Sequence, residues 1–118
     1  MRNRQSDQQL AAIDGVLLAQ VFRRFAKVLA DNEQLLNDLN VFPVPDSDTG
    51  TNSLLTIQSA LTHIDKGKKD ARAVASFAAA DAGQSARGNS GVILAEYIRA
   101  FAEQCEPELD VETLSKCL

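Results

Sequence analysis

Apolar residues recur along the chain at helical spacing, and polar, glycine- and proline-bearing stretches interrupt them. Asp14 is a good N-cap, and behind it Leu18, Phe22, Phe25 and Leu29 fall at i, i+4, i+7 and i+11, one face of an amphipathic helix. Arg23, Arg24 and Lys27 lie off that stripe. After a break at Asp31-Asn32, a short helix to about Asp38 is predicted, with Leu35, Leu36 and Leu39 apolar. Val41-Phe-Pro-Val-Pro45 cannot continue it, because each proline fixes φ and pushes its predecessor to extended geometry. Asp46-Ser-Asp-Thr-Gly50 is turn-forming, and Asp48 or Thr49 is placed to cap a second stripe, Leu54, Ile57, Leu61 and Ile64. Lys66-Gly-Lys-Lys-Asp70 ends that helix, with Gly67 as the stop.

Asp70 then caps an alanine-rich helix reaching to about Ala82, whose small side chains allow close interhelical approach. Gly83-Gln-Ser-Ala-Arg-Gly-Asn-Ser-Gly91 reads as a second loop-like stretch. Leu94, Ile98, Phe101 and Cys105 mark another helix face, broken at Glu106-Pro107. Asp110 to Leu118 carries the first turns of one more helix, cut off by the end of the chain. The fold class read from this pattern is all-α, helices joined by two polar, glycine-bearing loops. Residues 1–13 form a polar tail and 14–118 a single incomplete domain.

Composition supports that reading. With 118 residues the chain has room for one core; 45% hydrophobic and 24% charged residues are the balance of a folded globular protein. There is no Trp and only one Tyr, which argues against a β-sandwich. The net charge of −4, without a basic block, argues against a nucleic-acid or anionic-membrane partner. An acidic chain that binds an anion needs local help from a metal, backbone N–H groups or a helix N-terminus. Cys105 and Cys117 lack metal-ligand spacing and read as reduced cytosolic thiols. The polar N-terminus carries no signal region, and no run approaches the ~20 apolar residues that span a bilayer, so a cytoplasmic location without a transmembrane segment is expected.

Two stretches offer chemistry. In the first, Asp46 and Asp48 stand two residues apart, with oxygens of Thr49, Thr51 and Asn52 nearby and a helix start at Gly50 or Thr51. Oxygen ligands of this kind suit Mg²⁺ bridged to phosphates, and a helix N-terminus favours the same anion. The same residues also make an ordinary capped turn. In the second, Arg87-Gly-Asn-Ser-Gly91 could let backbone approach a phosphate, or could be a tight interhelical turn; it lacks the Gly-Lys-Ser/Thr ending of a P-loop. His63 reads as a solvated surface residue, and Asp65 and Asp70 as helix-end residues. Ser85 and Ser90 have no triad partner, which leaves nucleophilic hydrolysis without support.

Leu39-Asn-Val-Phe-Pro-Val-Pro-Asp-Ser-Asp-Thr-Gly-Thr-Asn52, followed by Ala86-Arg-Gly-Asn-Ser-Gly-Val-Ile-Leu94, closely resembles the N-terminal ATP-binding domain of bacterial fatty acid kinase. That domain is homologous to the dihydroxyacetone kinase L subunit. The resemblance runs from about Asp14 to the end of the chain. It implies an antiparallel eight-helix barrel, here truncated, with a nucleotide at one end. It further implies Mg²⁺ ions held by Asp46 and Asp48, with Asn40 at the upstream ligand position, and ATP phosphates lined by Thr49, Asn52 and the loop Gly88, Asn89, Ser90 and Gly91. Catalysis would then be metal clamping and positioning, with no side chain in a covalent role. The chain departs from the family at Ser47, where glycine is usual, and at Ser53, where methionine is usual.

The favoured expectation is therefore a kinase domain that binds ATP/ADP. Its parent protein would phosphorylate a fatty acid presented by a DegV-type lipid-binding partner. A dihydroxyacetone kinase L subunit is the second reading, although that branch carries Asp-His-Gly where this chain has Asp48-Thr49-Gly50. A third is an inactive helical docking fragment, self-associating into a homo-oligomer through uncovered helix faces.

Overall fold

The computed structural model describes residues 12–39 and 48–117. Within them the chain is all-α, apart from two short strands. β1 (Ala12–Ile13) pairs antiparallel with β2 (Leu109–Asp110), so the start of the described chain lies against the segment ahead of its last helix. Between them run α1 (Gly15–Asp31), α2 (Glu33–Asp38), α3 (Thr49–Ala60), a 3₁₀ turn (Ile64–Gly67), α4 (Ala71–Ser85) and α5 (Gly88–Gln104), and α6 (Val111–Cys117) follows β2. No helix of the described residues is long and apolar enough to cross a membrane.

Local chemistry sets the helix starts. The Asp14 carboxylate accepts the Leu17 N–H at 3.0 Å, and Asp70 accepts from Ala73 at 3.0 Å, each satisfying an N–H that has no intrahelical partner. Helices α3, α4 and α5 pack against one another, and α1 lies across α3 and α4. Alanines 71, 75, 78 and 82 of α4 are fully buried, which brings its neighbours close. Ile57 and Ile64 fill the centre; complete burial of such a side chain is worth roughly 1.5–3 kcal/mol. Ile98, Phe101 and Cys105 close the far side, as their spacing predicts.

Several expectations are corrected here. Phe25 does not join the core stripe of α1: it is 43% exposed, because Ala19 and Ala26 take the line of closest approach and the larger ring lies at its edge. Leu35 on α2 and Leu39 just after it, read only as apolar, are exposed. The helix over the second stripe ends at Ala60 rather than at Gly67, and Ile64 reaches the core from the 3₁₀ turn. Gly67 is not the stop; it is buried where a Cβ would stand 2.5 Å from the Val74 nitrogen. Reversal occurs one residue later, at Lys68, with φ 54°. The second loop is also shorter than predicted: Gly83 lies inside α4 and Gly88–Gly91 form the first turn of α5, leaving only Ala86 and Arg87 as connection.

Candidate functional site at the joined starts of two helices

Because α3 and α5 both run antiparallel to α4, their N-termini meet at one end of the bundle. One side chain secures the meeting: Ser90 donates its hydroxyl to the Thr49 carbonyl at 3.2 Å. Within α3, Thr56 turns its hydroxyl back to the Asn52 carbonyl at 2.8 Å. Two glycines make the approach possible. Gly88 has φ 64°, and a Cβ there would stand 2.4 Å from Asn52 Nδ2; a Cβ at Gly91 would stand 2.6 Å from Thr56 Oγ1. Their first role is thus helix contact, which fixes the Asn52 side chain under the start of α5.

Each helix start leaves N–H groups ahead of its first i→i−4 bond. In α3 that bond runs from Asn52 to Asp48 at 2.8 Å, and in α5 from Gly91 to Arg87 at 3.2 Å. The N–H groups of Thr49, Gly50, Gly88, Asn89 and Ser90 therefore precede both ladders, at the positive ends of two helix dipoles. Asp48 is the N-cap residue of α3, yet its side chain makes no capping hydrogen bond to that helix. The Thr51 N–H instead goes to Asn37 Oδ1 at 3.1 Å.

Of the residues singled out from the sequence, Asp48, Thr49, Asn52, Gly88, Asn89, Ser90 and Gly91 come together at this junction, while Asn40 and Asp46 lie outside the described residues. Thr51, expected to supply an oxygen to the site, is engaged elsewhere: its hydroxyl donates to Glu33 at 2.7 Å and accepts from Asn37 at 3.0 Å. His63 keeps a partly exposed side chain, and its Nδ1 lies 2.8 Å from the Asp81 carboxylate, tying the turn after α3 to α4. Asp65 pairs with Arg23 of α1. Arg87, which sequence reasoning left without a role, sits exposed at the N-cap of α5 and adds a positive charge beside the junction. Its place just ahead of Gly88 was the available signal.

The donor chemistry fits magnesium and phosphate. Asp48, Thr49 and Asn52 offer carboxylate, hydroxyl and amide oxygens, the hard ligands Mg²⁺ prefers, and the paired helix starts offer N–H groups to an anion. Among the described residues no group of three His, Cys, Asp or Glu side chains forms a metal cage.

The chain is 35% identical, over 105 residues making up 88% of its length, to uncharacterized proteins of Staphylococcus aureus strains USA300, MRSA252 and N315. It spans 19% of the length of these curated relatives. The family model of the DAK2 domain matches residues 43–118, from just ahead of the first candidate loop through both helix starts. The chain belongs to the DAK2 domain family.

Proposed function

We propose that the chain is the Mg·ATP-binding part of a cytoplasmic kinase, with the nucleotide phosphates at the joined N-termini of α3 and α5. The observation that carries this reading is the Ser90–Thr49 hydrogen bond, which sets two helix starts side by side with Asp48 at the edge of one of them. Membership of the DAK2 domain family supports a phosphotransferase related to dihydroxyacetone kinase. Asp48 and Asp46 would hold Mg²⁺, with Asn40 upstream, and the metal would neutralise phosphate charge when bound. Thr49 and Asn52 would line the phosphates, and the N–H groups of Gly88, Asn89 and Ser90 would donate to them. Since the Ser90 hydroxyl proton is committed to Thr49, that residue's contact would run through its backbone. Gly91 serves by letting α5 approach Thr56.

For the parent protein, the motifs at 39–52 and 86–94 support a fatty acid kinase that forms an acyl phosphate on a lipid carried by a DegV-type partner. Isothermal titration of ATP and ADP, with and without Mg²⁺, into wild type, Asp46→Ala and Asp48→Ala tests the nucleotide site. Mg²⁺-dependent binding lost in both variants is the expected result. Mg²⁺-dependent binding unchanged in Asp48→Ala would overturn the assignment.

One observation favours a second reading, a docking module. Leu17, Val21, Phe25 and Val28 form an exposed apolar stripe on α1, and Ile93 of α5 is 68% exposed. Such faces suit burial against another helix, in a second copy or a partner. Sedimentation of a folded sample that neither self-associates nor binds a partner through Val21→Glu-sensitive contacts would remove this reading.

A further inference from the structure

The structure contains a polar cluster that the nucleotide site does not itself use. Glu33 and Asn37 stand one turn apart on α2, on the face turned toward the start of α3. Thr51 bridges them: its hydroxyl donates to Glu33 Oε2 at 2.7 Å and accepts from Asn37 Nδ2 at 3.0 Å, while its N–H donates to Asn37 Oδ1 at 3.1 Å. All three residues are part-buried. Beside them Gly50 is pressed against α2 so closely that a Cβ would stand 2.3 Å from the Glu33 carbonyl oxygen. This contact joins the helix before the 40–47 segment to the helix after it.

The geometry is that of a cap supplied from another helix. An N-cap aspartate ordinarily takes the N–H of the second or third helical residue. Thr51 is the third residue of α3, and its N–H goes to Asn37 instead of to Asp48. The helix start is therefore satisfied without the Asp48 carboxylate acting as its cap. Residues that hold metal-site ligands in place through hydrogen bonds typically change metal affinity by about 10- to 100-fold when removed.

We infer that Glu33, Asn37 and Thr51 are positioning residues, a clamp between α2 and α3 that caps α3 in place of Asp48 and so orients Asp48 and Thr49 toward Mg·phosphate. The inference rests on the proposed Mg·ATP site, but the clamp can be read independently of nucleotide. Thr51→Val keeps shape and loses both hydroxyl bonds; Thr51→Ser keeps the hydroxyl; Asn37→Ala removes the cap. Titration of Mg·ATP is expected to show affinity about 10-fold or more weaker for Thr51→Val and Asn37→Ala, at helix content equal to wild type, with Thr51→Ser within about twofold. Thr51→Val binding as wild type does would overturn the positioning role. Amide hydrogen exchange without nucleotide reads the clamp alone: the Thr51 N–H should exchange about 10-fold faster in Asn37→Ala, and unchanged exchange would overturn it. Should wild type itself bind no Mg·ATP, the proposed function and the positioning role fail together, while exchange at Thr51 still decides whether the cap exists. If Asn37→Ala does not fold, Glu33→Leu, which removes the acceptor of the Thr51 hydroxyl, serves in the titration, with the same expected loss.

Discussion

The hydroxyl of Ser90 donates to the carbonyl of Thr49 across 41 residues of sequence, and this bond joins the first turns of α3 and α5. Ser90→Ala removes the donor and leaves a part-buried carbonyl that already serves the helix ladder. The expected cost is about 1 kcal/mol of stability, read as a lower denaturant midpoint at unchanged slope. If the junction binds phosphate, Mg·ATP affinity should fall by more than that stability loss explains, because the two sets of N–H groups separate. An unchanged affinity in a slightly destabilised Ser90→Ala would show that the joined helix starts are only packing.

The glycines of the chain should respond to alanine in opposite directions. At Gly88 an alanine meets both a positive φ and Asn52, and the left-handed backbone alone costs roughly 1–2 kcal/mol. At Gly91 it meets the Thr56 hydroxyl inside the α3–α5 contact, an overpacking worth roughly 1–3 kcal/mol. Gly83 has open space around it in the last turn of α4, so Gly83→Ala should stabilise by up to roughly 0.5–1 kcal/mol. Thermal melts of the three variants check the pattern. A Gly83→Ala that melts below wild type would contradict it.

These contrasts mark what could be read from sequence. Large apolar residues at helical spacing, such as Ile57, Ile98 and Phe101, are legible because their burial follows from periodicity. Phe25 misleads because small Ala19 and Ala26 sit where helices come closest, and periodicity does not weigh size. Gly83 and the Gly88–Gly91 turn look like loop because glycine is a poor helix former; the contacts with Asn52 and Thr56 that require it at 88 and 91 are tertiary. The grouping of Asp48, Thr49 and Asn52 with Gly88–Gly91 was readable as motif, not as geometry. Thr51 was read as part of the site because its partners, Glu33 and Asn37, lie 18 and 14 residues away.

The last helix carries a pH-dependent cap. Asp110 accepts the Thr113 N–H at 2.7 Å, and this bond, with a further one from the Thr113 side chain, holds the carboxyl below its ordinary value of 3.8. A depressed carboxylate contributes stability above its unfolded pKa and loses it as pH falls through the folded value. Residues 111–117 should therefore keep their amide protection down through pH 5 and lose it progressively below about pH 3.9. The Thr113 amide resonance, followed by NMR, should titrate with a midpoint below 3.8. Asp110→Asn should keep the cap and abolish that titration; a wild-type midpoint at or above the ordinary value would refute the assignment.

At the turn between the 3₁₀ element and α4, the Asp70 N–H donates to the Gly67 carbonyl at 3.0 Å, closing a four-residue β-turn. Its second residue, Lys68, has φ 54° and ψ −121°, the first central position of a type II′ turn, where glycine is strongly preferred. Glycine stands one position earlier, at Gly67, held there by contact with Val74 rather than by its backbone angles. Lysine in this conformation costs of order 1–3 kcal/mol. Lys68→Gly should therefore stabilise the protein by about 1 kcal/mol, the gain being reduced by the greater freedom of glycine in the unfolded chain. Gly67→Ala should destabilise, because its Cβ would enter the backbone at Val74. Denaturant midpoints for both variants decide the matter: a Lys68→Gly less stable than wild type would mean that the lysine backbone is not strained at this turn.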